Sequence, residues 1–319
     1  MVKNDQMIRV EKYEPKYKPA WDQFISQSKN GVFLFYRDYM EYHSDRFTDH
    51  SLLFFDDDQL VALMPANIKE NVLVSHGGLT FGGVISDSRM RMPTMLEIFD
   101  ALIIYLKGLG VVHVIYMAIP HIYHTVPAEE DLYALFRHNA QLIRRDVSST
   151  IDMREKMRFS KGRKWGVNQA RKSGLVVKQS HDFKTFMAIE EHVLRTRHSV
   201  KPVHTAEEIA LLASRFPDNI QLFAAYRREA MLGGVIMYES KNVAHAQYIA
   251  ANDEGRECGA LDLVMDFLIS QQYAAKRYFD FGISTENEGR YLNMGLVENK
   301  EGFGARATVY DFYRLDLSQ

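Results

Sequence analysis

The chain has 319 residues, of which 46% are hydrophobic and 25% charged. These are globular values; they exclude a disordered chain and leave enough apolar material for two domains. Lys and Arg number 39 against 41 Asp and Glu, and the net charge of −2 gives no global attraction to nucleic acid or an anionic membrane. Cys258, the one cysteine, cannot close an internal disulfide, which fits a cytoplasmic compartment. Met1 to Tyr13 carries no apolar signal core. The most apolar stretch, Ala101 to Pro120, is broken by Lys107, Gly108, Gly110 and His113. It reads as helix, turn and buried strand, and no membrane span is expected.

In chain order, Met7 to Val10 predicts a short opening strand. Lys18 to Ser28 places Trp21, Phe24 and Ile25 at helical spacing, and Phe33 to His43 carries a second apolar face. Ser51 to Phe55, Gln59 to Pro65 and Asn71 to Ser75 read as strands, the first two joined at Asp56-Asp57-Asp58. Leu79 to Phe81, between glycine pairs, predicts a strand bounded by tight turns. Met95 to Leu106 predicts a helix and Val111 to Met117 a buried strand. Pro127 to Phe136 opens as a helix should, with Pro near its start and acids in the first turn.

The order then repeats. Val147 to Met153 is strand-like. A basic segment, Arg154 to Lys178, holds nine Lys and Arg against one acid, Glu155, and runs into a strand at Leu175 to Lys178. Asp182 to Thr196 and Thr205 to Phe216 predict helices, the second with a Thr205/Glu208 capping box. Three strands follow at Gln221 to Tyr226, Ala230 to Glu239 and Ala244 to Ala250. A helix over Ala260 to Lys276 and strands at Tyr278 to Ile283 and Thr308 to Leu315 complete the chain. The pattern predicts an α/β (α+β) fold of two tandem mixed-sheet halves with flanking helices, residues 1–147 and 148–319.

Between the strand ending near Ala250 and the helix at Ala260, the loop Asp253 to Gly259 delivers the chain to a helix N-terminus. Such a terminus offers unpaired N–H groups and positive dipole to a pyrophosphate. Arg256 adds charge, and Gly255 and Gly259 let backbone approach a ligand.

The run Arg256-Glu257-Cys258-Gly259-Ala260-Leu261 resembles the coenzyme A loop of the GNAT acetyltransferase superfamily, Arg/Gln-x-x-Gly-x-Gly/Ala, with Leu261 where a small residue is usual. Tyr291-Leu292-Asn293-Met294-Gly295-Leu296 resembles that superfamily's Tyr-x-x-x-Gly-Phe segment. A basic helix ending at Lys172-Ser173-Gly174, the strand end Phe279-Asp280-Phe281-Gly282, and Lys300 before Phe303-Gly304 resemble its Fem-like branch, many of whose members have two GNAT-like halves. The marked resemblance covers roughly residues 150 to 315.

The resemblance implies an N-acyltransferase that moves an acetyl or other acyl group from acyl-CoA to an amine acceptor such as an amino sugar or cell-envelope precursor, without a metal. Ile249, Ala250, Asn252, Arg256, Cys258, Gly259 and Ala260 would bind the donor. Tyr291 would protonate the leaving thiolate, Lys300 would stabilise developing negative charge, and Glu286 would accept the amine proton. In the basic segment Lys161, Arg163 and Lys164 would hold phosphates, with Trp165 anchoring the helix; the alternative is a solvated helix face. His198 and His204, around Lys201-Pro202, are candidate bases or acceptor ligands, or simply polar loop residues. The same branch contains enzymes that take aminoacyl-tRNA, and a non-catalytic GNAT-like binding protein is the reading from a different class.

Overall fold

The computed structural model describes residues 8–197 and 202–318. The chain divides into two compact units. One contains residues 1–146, 287–290 and 309–319, and the other 147–286 and 291–308.

In the first unit, β1 (Arg9–Lys12), β2 (Leu52–Asp56), β3 (Gln59–Met64) and β6 (Ile85–Ser86) form an antiparallel sheet in that order. A second set runs β4 (Asn67–Lys69), β5 (Val72–Val74), β7 (His113–Met117) and then β16 (Arg306–Asp316), whose residues from Val309 belong to this unit. α1 (Lys18–Gln27) buries Trp21, Phe24 and Ile25, as its spacing requires. The indole N–H of Trp21 donates to the carbonyl of Phe35 (2.8 Å), so its polar atom is satisfied inside the core. Phe33 to His43 folds as 3₁₀ turns around a four-residue helix, α2 (Arg37–Met40), rather than one helix. Leu79 to Phe81 forms no strand; Gly82 N–H instead donates to the Met117 carbonyl (2.9 Å). α3 (Met92–Gly108) and α4 (Glu130–Arg137) supply Met95, Ile98, Phe99, Leu102, Leu106, Ala134 and Leu135 to a core shared with β2, β3 and β7. β8 (Gln141–Asp152) carries the chain onward, its residues from Val147 lying in the second unit.

The second unit is built on a sheet in the order β8-β13-β12-β11-β10-β9. α5 (Lys161–Lys172) starts at Ser160, whose hydroxyl accepts from Arg163 N–H (3.3 Å), and leads to β9 (Val176–Ser180). α6 (Phe183–Arg197) and α7 (Ala206–Arg215) follow, and α7 has the capping box read from Thr205 and Glu208. Next come β10 (Ile220–Arg227), β11 (Ala230–Glu239) and β12 (Val243–Ala251), an antiparallel meander. The loop after β12 is not irregular. It winds into α8 (Asp253–Glu257), capped by the Asn252 side chain, before α9 (Ala260–Phe267) begins. α9 ends in a π-helical turn at Leu268–Gln272, so the helix expected to reach Lys276 is shorter and wider at its end. β13 (Tyr278–Ile283) then runs parallel to β12. β14 (Thr285–Glu286) and β15 (Tyr291–Leu292) pair as a small ladder, and α10 (Met294–Glu301) precedes β16. Val167, Ala170, Phe223, Val235, Ala244, Ala246, Val264, Leu268, Phe279 and Phe281 belong to one core under α5 and α9.

The first unit also encloses two histidines at a cost. His43 is 1% exposed and both of its ring nitrogens lack a hydrogen-bond partner. Its ring packs against Phe47 and His76, with centroids 5.0 and 5.3 Å away. Burial holds both His43 and His76 at a pKa of about 4, with Arg46 adding to the effect on the first and His43 to that on the second. Below pH 6.5 the unfolded chain takes protons that the folded chain refuses, so stability falls with pH until about pH 4. Replacing His43→Leu should flatten the loss of melting temperature between pH 6.5 and 4.5 and leave the value at pH 7.5 within a few degrees of the parent. Thermal unfolding across that pH range measures it.

Candidate active site

β12 and β13 are paired only at Val243/Tyr278, Ala244/Phe279 and His245/Asp280. Beyond that point β12 continues to Ala251 with no partner on the β13 side, and a wedge opens between the strands. Two sequence features produce it. Gln247 is an extra residue in β12, where the register with β11 slips between Ile236 and Met237. Gly282 has φ +77°, a left-handed conformation that bends β13 where its register with β8 is also broken.

The bend leaves carbonyls without strand partners, and Lys300 takes them. From α10 its ammonium donates to the carbonyls of Gly282 (2.8 Å) and Ile283 (2.7 Å) and to the Ser284 hydroxyl (2.8 Å). Lys300 is 5% exposed; burial lowers its pKa to about 8, against the opposing charge of Asp280. All three ammonium donors are therefore engaged by the protein, which makes Lys300 the clamp on the wedge.

At the apex lies an acid–base pair absent from the sequence reading. Asp280 is fully buried and receives the Nδ1–H of His245 (2.7 Å), Ser148 Oγ (2.6 Å), Thr150 Oγ1 (2.7 Å) and the Gly282 N–H (3.3 Å). Burial alone would raise its pKa, but the bond and charge of His245 and the two hydroxyls hold the carboxyl below its usual range. With Nδ1 donating to a carboxylate, the His245 Nε2 lone pair is presented outward. That nitrogen has no protein partner among the described residues and is not sealed from solvent. Ala244 and Ala246 point into the core under α9, so His245 points to the opposite, α6-covered face.

The turn between β12 and α9 is tightly built. Arg256 donates to the Ala251 carbonyl (2.6 Å) and pairs with Asp253, so its charge is tied to its own turn. Cys258 is buried, its thiol over the Gly255 carbonyl (3.6 Å). Gly259 caps α9 at φ +77°, and a Cβ there would lie 2.5 Å from the carbonyl oxygen of Gly166 on α5. Ala260 is fully buried behind it. α5 thus lies against this turn, stitched by Arg163 to Asp262 (2.7 Å) and Arg171 to Asp266 (2.7 Å). Arg163 is spent on that pair, whereas Lys161 and Lys164 have no ion pair with a described residue. Trp165 does not anchor the helix: it is 63% exposed, and Gly166, Val167 and Ala170 make the contact.

The remaining sequence candidates fall in several places. Ile249, Ala250 and Asn252 lie on the open stretch of β12 and at its end. Tyr291 and Glu286 face each other across the β14/β15 ladder; Tyr291 is 56% exposed, and Glu286 accepts from Asn293 Nδ2 (2.9 Å). His204 is buried and its Nδ1 lies 2.6 Å from the Tyr248 hydroxyl of β12, so it is not a loose loop residue. His198 lies outside the described residues. No described residues gather three or more His, Cys, Asp or Glu about a point that could hold a metal, and no described helix is long and apolar enough to cross a membrane.

Comparison with known proteins agrees with this geometry. A family model described as an acetyltransferase (GNAT) domain matches residues 157–291. Among solved structures, FemX superposes with a TM-score of 0.66 at 11% identity, covering 94% of this chain and 96% of that one. A conserved protein of unknown function from Bacteroides thetaiotaomicron VPI-5482 gives 0.61 at 10% identity, over 97% and 100%. L-PGS from Bacillus licheniformis gives 0.58 at 12% identity, over 97% and 94%. No curated protein sequence matches the chain. The chain has a mixed α/β fold like that of FemX.

Lys300→Met should leave the part-buried Gly282 and Ile283 carbonyls and the buried Ser284 hydroxyl without the ammonium donor. We expect a loss of about 2–4 kcal/mol in urea unfolding, the scale of two unsatisfied buried groups, whether or not a substrate is present.

Proposed function

We propose that the protein transfers an acyl group from acyl-CoA to an amine. The carrying observation is the open edge of β12 from Ala246 to Ala251, which ends at the helical turn Asn252 to Ala260. A thioester laid along that edge meets backbone N–H groups near Ile249 to Asn252, which polarise its carbonyl. Its pyrophosphate reaches the turn, where Lys161 and Lys164 of the adjoining α5 supply charge. Cys258, Gly259 and Ala260 shape the turn, and Arg256 stiffens it.

In the reaction, the acceptor nitrogen attacks the thioester carbon and the C–S bond breaks. The proton lost by the amine passes to His245 Nε2, whose tautomer Asp280 fixes. Tyr291 gives its hydroxyl proton to the departing thiolate. Glu286, facing Tyr291, is the other base on that ladder. Lys300 holds the wedge in shape. The acceptor on this reading is a small molecule that carries a primary amine.

A second reading, aminoacyl transfer from tRNA, is favoured by a different feature. A hollow of about 420 Å³ between the chain before α5 and the end of α9 is lined by Lys156, Arg158 and Lys164 over Phe159 and Ile269. Such cations suit a phosphate backbone.

Melting temperature decides between the two. Acetyl-CoA or a longer acyl-CoA at a hundred times its dissociation constant should add about 2.7 kcal/mol of stability. His245→Gln should keep that shift and lower the transfer rate about 10²-fold or more. No shift with any acyl-CoA, together with salt-sensitive tRNA binding, would establish the second reading instead.

A further inference from the structure

On α6, Phe183, Phe186, Met187 and Glu190 recur at helical spacing and are all buried. This is the helix face that packs on β11 and β12. Three of the four are what such a face needs. Glu190 is not: it is 7% exposed, makes no hydrogen bond or ion pair with any described residue, and its oxygens are nevertheless not sealed from solvent. A carboxylate in that position costs stability unless a cation reaches it. Burial is the only influence acting on it and pushes its pKa up to about 7.

The sheet beneath carries a row of small residues. Ala224, Gly234 and Ala250 sit in register across β10, β11 and β12. Their neighbours Phe223, Val235 and Ile249 belong to the core under α9, so this small-residue row faces α6. Tyr248 lies on the same face of β12, held by His204, and His245 lies one step further along. A buried carboxylate with no partner among the described residues, a row of small residues and the proposed base therefore share one face.

We propose that this face receives the acceptor and that Glu190 ion-pairs with a cationic group on it, so the substrate class is a cationic amine carrying a second positive charge beyond the reacting nitrogen. This rests on the acyl-CoA reading above. The arriving ammonium supplies the charge that no described residue brings to Glu190, and its alignment brings the neutral, reacting amine toward His245 Nε2.

The test uses acetyl-CoA with 1,4-diaminobutane and, as the matched probe without the second charge, 4-aminobutan-1-ol, following thiol release at pH 8. The intact protein should prefer the diamine in kcat/KM by about thirtyfold or more, the scale of losing one partner of a buried charge pair. Glu190→Gln should abolish that preference by raising KM for the diamine with kcat nearly unchanged, and should keep the acetyl-CoA melting shift. Glu190→Gln should also melt higher than the parent at pH 8 and not at pH 5, because ionisation of the buried carboxyl costs stability as pH rises through 7. Equal use of the two amines, a preference that survives in Glu190→Gln, or a variant less stable at pH 8 would overturn the assignment. So would failure of the diamine to react while acetyl-CoA still shifts the melt. Absence of any acyl-CoA shift in the parent would instead remove the donor reading beneath it.

Discussion

The second unit depends on the separation of two parallel strands. β12 and β13 begin as ordinary neighbours and part after His245 and Asp280. An exposed strand edge inside a fold would normally leave polar groups unpaired. Here the separation is stabilised at its apex and along one arm. Asp280 gathers four donors at the last paired position, and Lys300 caps the two carbonyls that the bend at Gly282 releases. The other arm, β12, keeps an open edge, and that edge is the part of the wedge left for a ligand.

The same construction explains why buried charge is tolerated there. Asp280 and Lys300 would each be costly alone in the interior. Asp280 is surrounded by donors and Lys300 by acceptors, so each charge is solvated by protein groups instead of water. Glu190 has no such shell and shows the opposite response, a carboxyl held near neutrality by burial. The contrast separates buried charges that the fold itself solvates from one that no described residue pairs.

The basic segment shows how a charge run divides in three dimensions. Arg163 and Arg171 turn inward to Asp262 and Asp266 and fix α5 to α9. The close approach of Gly166 to Gly259 then sets the helix against the donor turn. Lys161, Lys164 and the cations before the helix face outward. A single stretch of positive charge is therefore partly structural and partly available, a division that counting charges cannot make.

Much of the frame was legible in the sequence, because local pattern decides it. The apolar strand runs in 220–251, the capping box at Thr205 and Glu208, and the apolar spacing of Trp21, Phe24 and Ile25 each act over one turn or one strand. Motif resemblance likewise singled out the turn at Arg256 to Ala260 and Lys300, but it assigned Lys300 to a developing charge, and the structure engages all three of its donors in holding the bend of β13. What the sequence did not yield depends on contacts between distant segments. His245 and Asp280 are 35 positions apart and become a pair only because the strands are parallel and in register. Trp165 reads as an anchor until Gly166 is seen to make the close contact. Glu190 looks like one more surface charge until α6 is laid on the sheet. Local sequence thus determined the elements and the turn between β12 and α9. Tertiary structure alone decided which polar groups are enclosed, because burial and partnership are properties of the packed chain and not of any segment of it.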